Sequence, residues 1–130
     1  VTPVKLLVAV VDDEESVRRA LERLLRSAGI ETETFSTGGA MLEDLARRKP
    51  DCIVLDLHMP GMSGFEIQAA LAERGLRIPV VVLTGHDTPG SSERVTAGGA
   101  AAFLRKPVDG AVLLAAVDAA VENAAKIARS

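Results

Sequence analysis

The chain has 130 residues, 48% hydrophobic and 25% charged, the composition of one globular domain long enough to bury a single core. A net charge of −3 and aromatics limited to three Phe exclude a basic binder of phosphate backbones and a stacking platform for single-stranded nucleic acid. One cysteine excludes a disulfide framework, no apolar stretch reaches membrane-spanning length, and the N-terminus lacks a signal-peptide pattern, so the cytoplasm is the expected compartment.

In chain order, Lys5-Leu6-Leu7-Val8-Ala9-Val10-Val11 is read as an apolar run that ends in the acids Asp12-Asp13-Glu14-Glu15. Val17, Ala20, Leu21, Leu24, Leu25 and Ala28 follow at helical spacing, and Gly29 supplies a stop. Ile30 to Phe35 alternates apolar residues with Glu and Thr, as a half-exposed edge strand does. A helix holding Met41, Leu42 and Leu45 comes next and is expected to close on Arg47-Arg48-Lys49, cations suited to a helix C-terminus, ahead of Pro50. Cys52-Ile53-Val54-Leu55 runs unbroken into Asp56, a pattern suited to a central strand buried on both faces, with Cys52 as apolar filler. Asp56 is thereby placed half in the core and half in water. Pro60, Gly61, Ser63 and Gly64 then stop regular structure, and Ser63 with Glu66 has capping-box spacing for a helix over Gly64 to Arg74.

Val80-Val81-Val82-Leu83 is a third buried run, ending in Thr84-Gly85-His86-Asp87. Thr88 to Gly99 is rich in Pro, Gly and Ser, which predicts a short, poor helix. Ala100 to Leu104 reads as a strand leading to Arg105-Lys106-Pro107. Asp109 can cap a final helix with the stripe Val112, Leu113, Ala116, Val117, Ala120 and Val121. No repeat or interdomain linker interrupts this order. A single domain over 1–130 is expected, its core at about 4–122, with 123–130 either the end of the last helix or the start of a linker. The first residue is Val rather than Met, as expected of a processed chain or a piece of a longer one.

Strands alternating with helices imply a parallel sheet covered on both faces, with every strand pointing the same way. Asp12 and Asp13, Asp56, Thr84 and Lys106 then all fall at the carboxyl ends of strands, the edge where open α/β sheets bind ligands. Carboxylates converging there must spread apart, take up protons or hold a cation. An all-oxygen donor set with room for water suits Mg²⁺. Simpler readings are open for each piece: an aspartate after a strand also forms turns, and the acids after the first strand also suit the positive end of a helix. Lys106 on the same rim favours a phosphoryl-transfer site, with an aspartate as acceptor.

These pieces resemble the response-regulator receiver domains of bacterial two-component signalling. The matching motifs are Val11-Asp12-Asp13, Leu55-Asp56 with Met59-Pro60-Gly61-Met62-Ser63-Gly64, Leu83-Thr84-Gly85, and Lys106-Pro107, in the family's order over nearly the whole chain. Leu71 to Pro89 is similar to receivers that precede a helix-turn-helix output domain. The resemblance implies a flavodoxin-like (βα)5 three-layer sandwich with a parallel five-stranded sheet in order 2-1-3-4-5. It implies that Asp56 accepts a phosphoryl group from a sensor histidine kinase or phosphotransfer protein. Mg²⁺ would be bound directly by Asp13 and Asp56, by Asp12 through water, and by the main-chain carbonyl of His58. Lys106 would pair with one phosphoryl oxygen and Thr84 would hydrogen-bond another. Thr84 and Phe103 would be the switch pair, with Phe103 where many relatives have Tyr, and the Lys106-Pro107 bond would be cis.

The same resemblance implies a signalling phosphoprotein rather than a turnover enzyme, one that assists its own phosphorylation and dephosphorylation. Its output surface would be the fourth helix, fifth strand and fifth helix, a face that can also serve a homodimer on phosphorylation, in transcription regulation. This domain itself would touch neither nucleic acid nor membrane. The side chains of His58 and His86 are expected in exposed loops. A receiver-like scaffold without phosphorylation is the alternative, against which the intact set of acids, Thr84 and Lys106 counts. A flavodoxin-like FMN binder would need hydroxyl- and glycine-rich loops where the acids of the first loop stand. A haloacid-dehalogenase-type phosphatase would need D-x-D after the first strand, and Asp12-Asp13-Glu14 lacks it.

Overall fold

A computed structural model describes residues 5–86 and 88–129. Residue 4, the expected lower edge of the core, lies outside the described residues, as do residues 87 and 130. The elements are β1 Leu7–Val11, α1 Glu15–Ser27, β2 Glu31–Phe35, α2 Gly38–Asp44, β3 Cys52–Asp56, α3 Gly64–Glu73, β4 Val80–Thr84, α4 Ser91–Ala97, β5 Ala102–Arg105 and α5 Gly110–Arg129. All five strands are parallel, in the order β2-β1-β3-β4-β5. This is the flavodoxin-like order that the resemblance implies. No helix among the described residues is long and apolar enough to cross a membrane.

The period of two along each strand divides the core into two layers. Ala9, Val11, Ile53, Leu55, Val80 and Val82 point to one face, where Met41, Leu42 and Leu45, then Ile67 and Leu71 of α3 and Val95 of α4 cover them. Val8, Val10, Cys52, Val54, Val81 and Leu83 point to the other, under Leu21 and Leu25 of α1 and Leu113, Val117 and Ala120 of α5. Both faces of β1, β3 and β4 are therefore dry, which is why these strands read as unbroken apolar runs. Burial pushes the Cys52 thiol up to about 12, so it is filler and no nucleophile.

Helix ends follow their local chemistry. Ser63 and Glu66 form the reciprocal capping box at the start of α3, and Asp109 Oδ1 accepts the amides of Ala111 and Val112 at the start of α5. Gly29 and Gly75 sit at φ +80° and +67° just beyond α1 and α3, a region that strains other residues. α5 continues as helix through residues 123–129.

Four expectations about local structure are corrected. The Arg47 and Arg48 side chains lie beyond the last turn of α2, which stops at Asp44: Arg47 pairs with Asp44 at the helix end and with Glu33 of the edge strand, and Arg48 pairs with Glu31. This edge strand carries acids, and salt bridges to the neighbouring turn pair them. Val112 is 50% exposed, because the buried stripe of α5 runs through Leu113, Val117 and Ala120. Ala20 of α1 and Ala28 just beyond its end are exposed. The last strand begins at Ala102, since Ala101 N closes the sheet by donating to Val80 O and the turn before it is still bound to α4.

Two adjacent glycines of α2 give opposite expectations. A Cβ on Gly38 would lie 2.4 Å from Ile67 Cδ1 and 2.7 Å from Cγ1, on a side chain with no room to retreat, whereas a Cβ on Gly39 meets nothing within 4 Å. Gly38→Ala is expected to lower stability by about 1–3 kcal/mol through overpacking. Gly39→Ala should raise it by up to about 1 kcal/mol through helix propensity. Urea unfolding followed by far-ultraviolet circular dichroism checks both signs.

Candidate functional site

Every strand points the same way, so the residues leaving β1, β3, β4 and β5 share one rim. Asp12 and Asp13 follow β1, Asp56 ends β3, Thr84 ends β4, and Lys106 follows β5. Asp12, Asp56 and Thr84 are buried at 1%, 5% and 1% exposure, while Asp13 is exposed. Asp56 thus lies deeper than the half-exposed position expected, because the loop after it folds back over the strand end. Gly64 makes that return possible: it donates its amide to Leu57 O at 2.8 Å, and a Cβ there would sit 3.0 Å from Leu57 Cα.

The carboxylate oxygens of Asp12, Asp13 and Asp56 come within 4.8 Å of one another. At that range, with an effective dielectric near 20, each pair of charges repels by about 3 kcal/mol. Two responses are visible. Lys106 Nζ bridges the cluster, 2.7 Å from Asp12 Oδ2 and 3.5 Å from Asp56 Oδ1. The Asp56 carboxyl is also pushed up to about 6 by its burial and then by the Asp12 charge, against the lowering pull of Lys106. Burial alone would lower the Lys106 amine; the hydrogen bond to Asp12 and the charges of Asp56 and Asp12 outweigh it and hold the amine above its ordinary value.

Asp12 is the most tightly held of the acids. Its amide donates to Phe35 O, its Oδ1 accepts from Glu14 N at 2.9 Å, its Oδ2 takes Lys106, and its carbonyl accepts Arg18 Nη1 at 2.8 Å. Arg18 was not anticipated from the sequence. The available signal was a cation in the opening turns of α1, where it opposes the helix dipole and needs another reason to be there. Gln68 was missed as well; it is buried in α3 and donates Nε2 to Val95 O of α4 at 3.0 Å.

The Thr84 hydroxyl is engaged with its own loop, donating to His86 O at 2.6 Å and accepting from His86 N at 3.1 Å. His58 and His86 are both exposed on this rim. Phe103 lies partly buried on β5, beside Val82 and against the layer covered by α2, α3 and α4. The Lys106-Pro107 peptide bond is cis. An all-carboxylate set within 4.8 Å, with one member open to solvent, fits a hard divalent cation that keeps part of its water shell.

The raised Asp56 carboxyl makes a prediction about stability. The folded chain binds this proton more tightly than an unfolded carboxyl of 3.8, so folding stability falls as pH rises from about 4 to about 6, and the whole penalty stands above 6. Asp56→Asn in metal-free buffer is expected to be more stable than the parent by about 2–3 kcal/mol at pH 8. The gain should fade towards zero near pH 4 in chemical denaturation curves.

Comparison with known proteins agrees with this geometry. The family model "Response regulator receiver domain" matches residues 8–118. Nodulation protein W of Bradyrhizobium diazoefficiens is 40% identical over 119 residues, covering 92% of this chain and 52% of that protein. Transcriptional regulatory protein FixJ of Azorhizobium caulinodans is 40% identical over 128 residues, covering 98% of this chain and 60% of that protein. The chain thus spans a little over half the length of these curated relatives. Among solved structures, response regulator StyR superposes with a TM-score of 0.88 at 40% identity, covering 97% of this chain and 64% of that one. The FixJ-N crystal structure superposes with a TM-score of 0.85 at 32% identity, covering 92% of this chain and 96% of that one. The chain belongs to the response regulator receiver domains, the phosphoacceptor modules of two-component signalling.

Proposed function

We propose that Asp56 is the phosphoacceptor and that the chain takes its phosphoryl group from a phosphohistidine on a sensor histidine kinase or phosphotransfer protein. One observation carries this reading: a buried carboxylate lies 3.5 Å from a lysine amine, among acids whose oxygens fall within 4.8 Å, at the carboxyl edge of the sheet. In the transfer a carboxylate oxygen of Asp56 attacks phosphorus, the phosphorus–nitrogen bond to the imidazole breaks, and an acyl phosphate forms. In-line transfer of this kind asks the protein mainly for position and charge neutralisation.

Asp13 and Asp56 would hold Mg²⁺ directly, Asp12 would hold it through water, and the His58 main-chain carbonyl would complete the protein's share. When bound, the ion supplies charge neutralisation for the phosphoryl oxygens. Lys106, bonded to Asp12 and near Asp56, is within reach of a phosphoryl oxygen on Asp56 after a small movement of its flexible stem. Thr84 would exchange its bond to the His86 carbonyl for a charge-assisted bond to another phosphoryl oxygen, a stronger partner. Turning Thr84 inward frees space for Phe103, which lacks the hydroxyl that Tyr brings, so packing alone marks its two positions.

The output surface would be α4, β5 and α5, used for a partner domain or for a homodimer on phosphorylation, within cytoplasmic control of transcription. The domain acts as a phosphoprotein that assists its own phosphorylation and dephosphorylation. Similarity to FixJ, named as a transcriptional regulatory protein, supports the output.

Incubation with acetyl phosphate and Mg²⁺ followed by intact mass is the direct test. One phosphoryl increment is expected, absent in Asp56→Asn and absent with a chelator; an adduct that survives in Asp56→Asn would defeat the assignment. A second expectation concerns α4, which is short, opens at Gly90 without a side-chain cap and rests on Gln68 and on Arg94 stacked 3.7 Å over the Phe65 ring. Without phosphate its amides should exchange with deuterium faster than those of the two-layer-packed α1. Equal protection of the two helices would contradict a mobile output face.

A further inference from the structure

Beside the acidic rim, read as a metal-assisted phosphoryl acceptor, one strong contact has no part in that chemistry. Arg18 lies on α1, and its Nη1 donates to the carbonyl oxygen of Asp12 at 2.8 Å. That carbonyl is half of the Asp12–Asp13 peptide unit, so whatever holds it also sets the direction in which Asp13 leaves the strand end. The Asp12 side chain has its own anchors in Glu14 N and Lys106 Nζ. The Asp13 carboxylate is exposed and has no hydrogen bond or ion pair among the described residues, so its place within 4.8 Å of Asp12 and Asp56 follows from the backbone that carries it.

Resting on that reading, we propose that Arg18 is a positioning residue of the phosphorylation site: by gripping the Asp12 carbonyl, it aims the Asp13 carboxylate at the cation position shared with Asp56. Arg18 touches neither the cation nor the phosphoryl group. Its guanidinium acts through one peptide plane, as partners behind metal ligands commonly do. The local chemistry favours this role over plain helix stabilisation. Arg18 sits one turn into α1, where its charge opposes the positive end of the helix dipole.

Charge and position make opposite predictions. Arg18 is a cation close to a cation site, so if it acted only through its field, removing it would tighten metal binding. If it acts by aiming Asp13, removing it weakens binding. Mn²⁺, read by loss of its free electron-paramagnetic signal, serves as the probe because it takes the same oxygen ligands as Mg²⁺. The parent should bind one ion, and Asp13→Asn and Asp56→Asn should lose it; failure at this step overturns the reading of the site itself, and the role of Arg18 with it. Given a competent site, Arg18→Ala is expected to weaken Mn²⁺ by about tenfold, as loss of a partner behind a ligand does. Arg18→Lys, which keeps the charge and one donor, should recover part of that loss. Binding by Arg18→Ala that equals or exceeds the parent overturns the proposal. Should Arg18→Ala unfold, Arg18→Lys decides: weakening by a few-fold, with a shift of the Asp13 amide resonance in the metal-free protein, supports the aiming role. Parent-like affinity and an unmoved resonance in Arg18→Lys overturn it.

Discussion

The ammonium of Lys106 set between Asp12 and Asp56 is the contact on which the rim depends. It joins positions 94 residues apart in sequence, at 2.7 Å to Asp12 and 3.5 Å to Asp56. Without a cation there, burying two carboxylates beside an exposed third would be untenable, since a buried unpaired charge costs several kcal/mol. The ion pair does not erase the cost. Asp56 retains a carboxyl near 6, so burial and the neighbouring acids still outweigh the lysine at that one group. Strain of this sort is expected where a side chain is kept reactive rather than comfortable.

The sheet makes that concentration of charge possible, and its logic was readable from the chain. Unbroken apolar runs at Leu7–Val11, Cys52–Asp56 and Val80–Thr84 could only be strands dry on both faces, and their parallel course brought their polar ends to one edge. The alternation of Ala9 and Val11 to one layer with Val8 and Val10 to the other repeats in each of these strands. Strand order was another matter. Nothing in the spacing distinguishes 2-1-3-4-5 from other parallel orders, and the family resemblance supplied it. The edge position of β2 was legible, because Glu31 and Glu33 could not sit in the sheet's interior.

What stayed hidden was where long polar side chains go once the fold has formed. Arg47 and Arg48 look like cations for a helix end; Arg47 does bind Asp44 there, but the two also reach Glu33 and Glu31, 14 and 17 residues away. Gln68 reads as a surface residue of an amphipathic helix, yet it is buried and bonded to α4 because Gly98 opposite leaves room for it. The unequal burial of Asp12 and Asp13 has the same origin. Adjacent residues leaving a strand point to opposite sides, and only the closing contacts from Lys106, Glu14 and Arg18 decide which one is covered.

The rim is also tied to the loop that opens α4. Thr84 is fully buried and tied to the His86 backbone, so its hydroxyl cannot turn toward Asp56 without loosening the β4–α4 loop. That loop leads into Ser91, itself buried and bonded to Thr88, and into a seven-residue helix held by few apolar anchors. β5 lies against β4 in register, Leu83 beside Leu104 and Thr84 beside Arg105, so Phe103 stands two residues before the row of Thr84. α4 is thus the lightly anchored helix beside the site, whereas α1 and α5 are held by Leu25, Leu113 and Val117. Both covering layers are aliphatic, but α4 gives its layer one buried apolar anchor, Val95, and is otherwise held by a glutamine, an arginine on a ring and two hydroxyls.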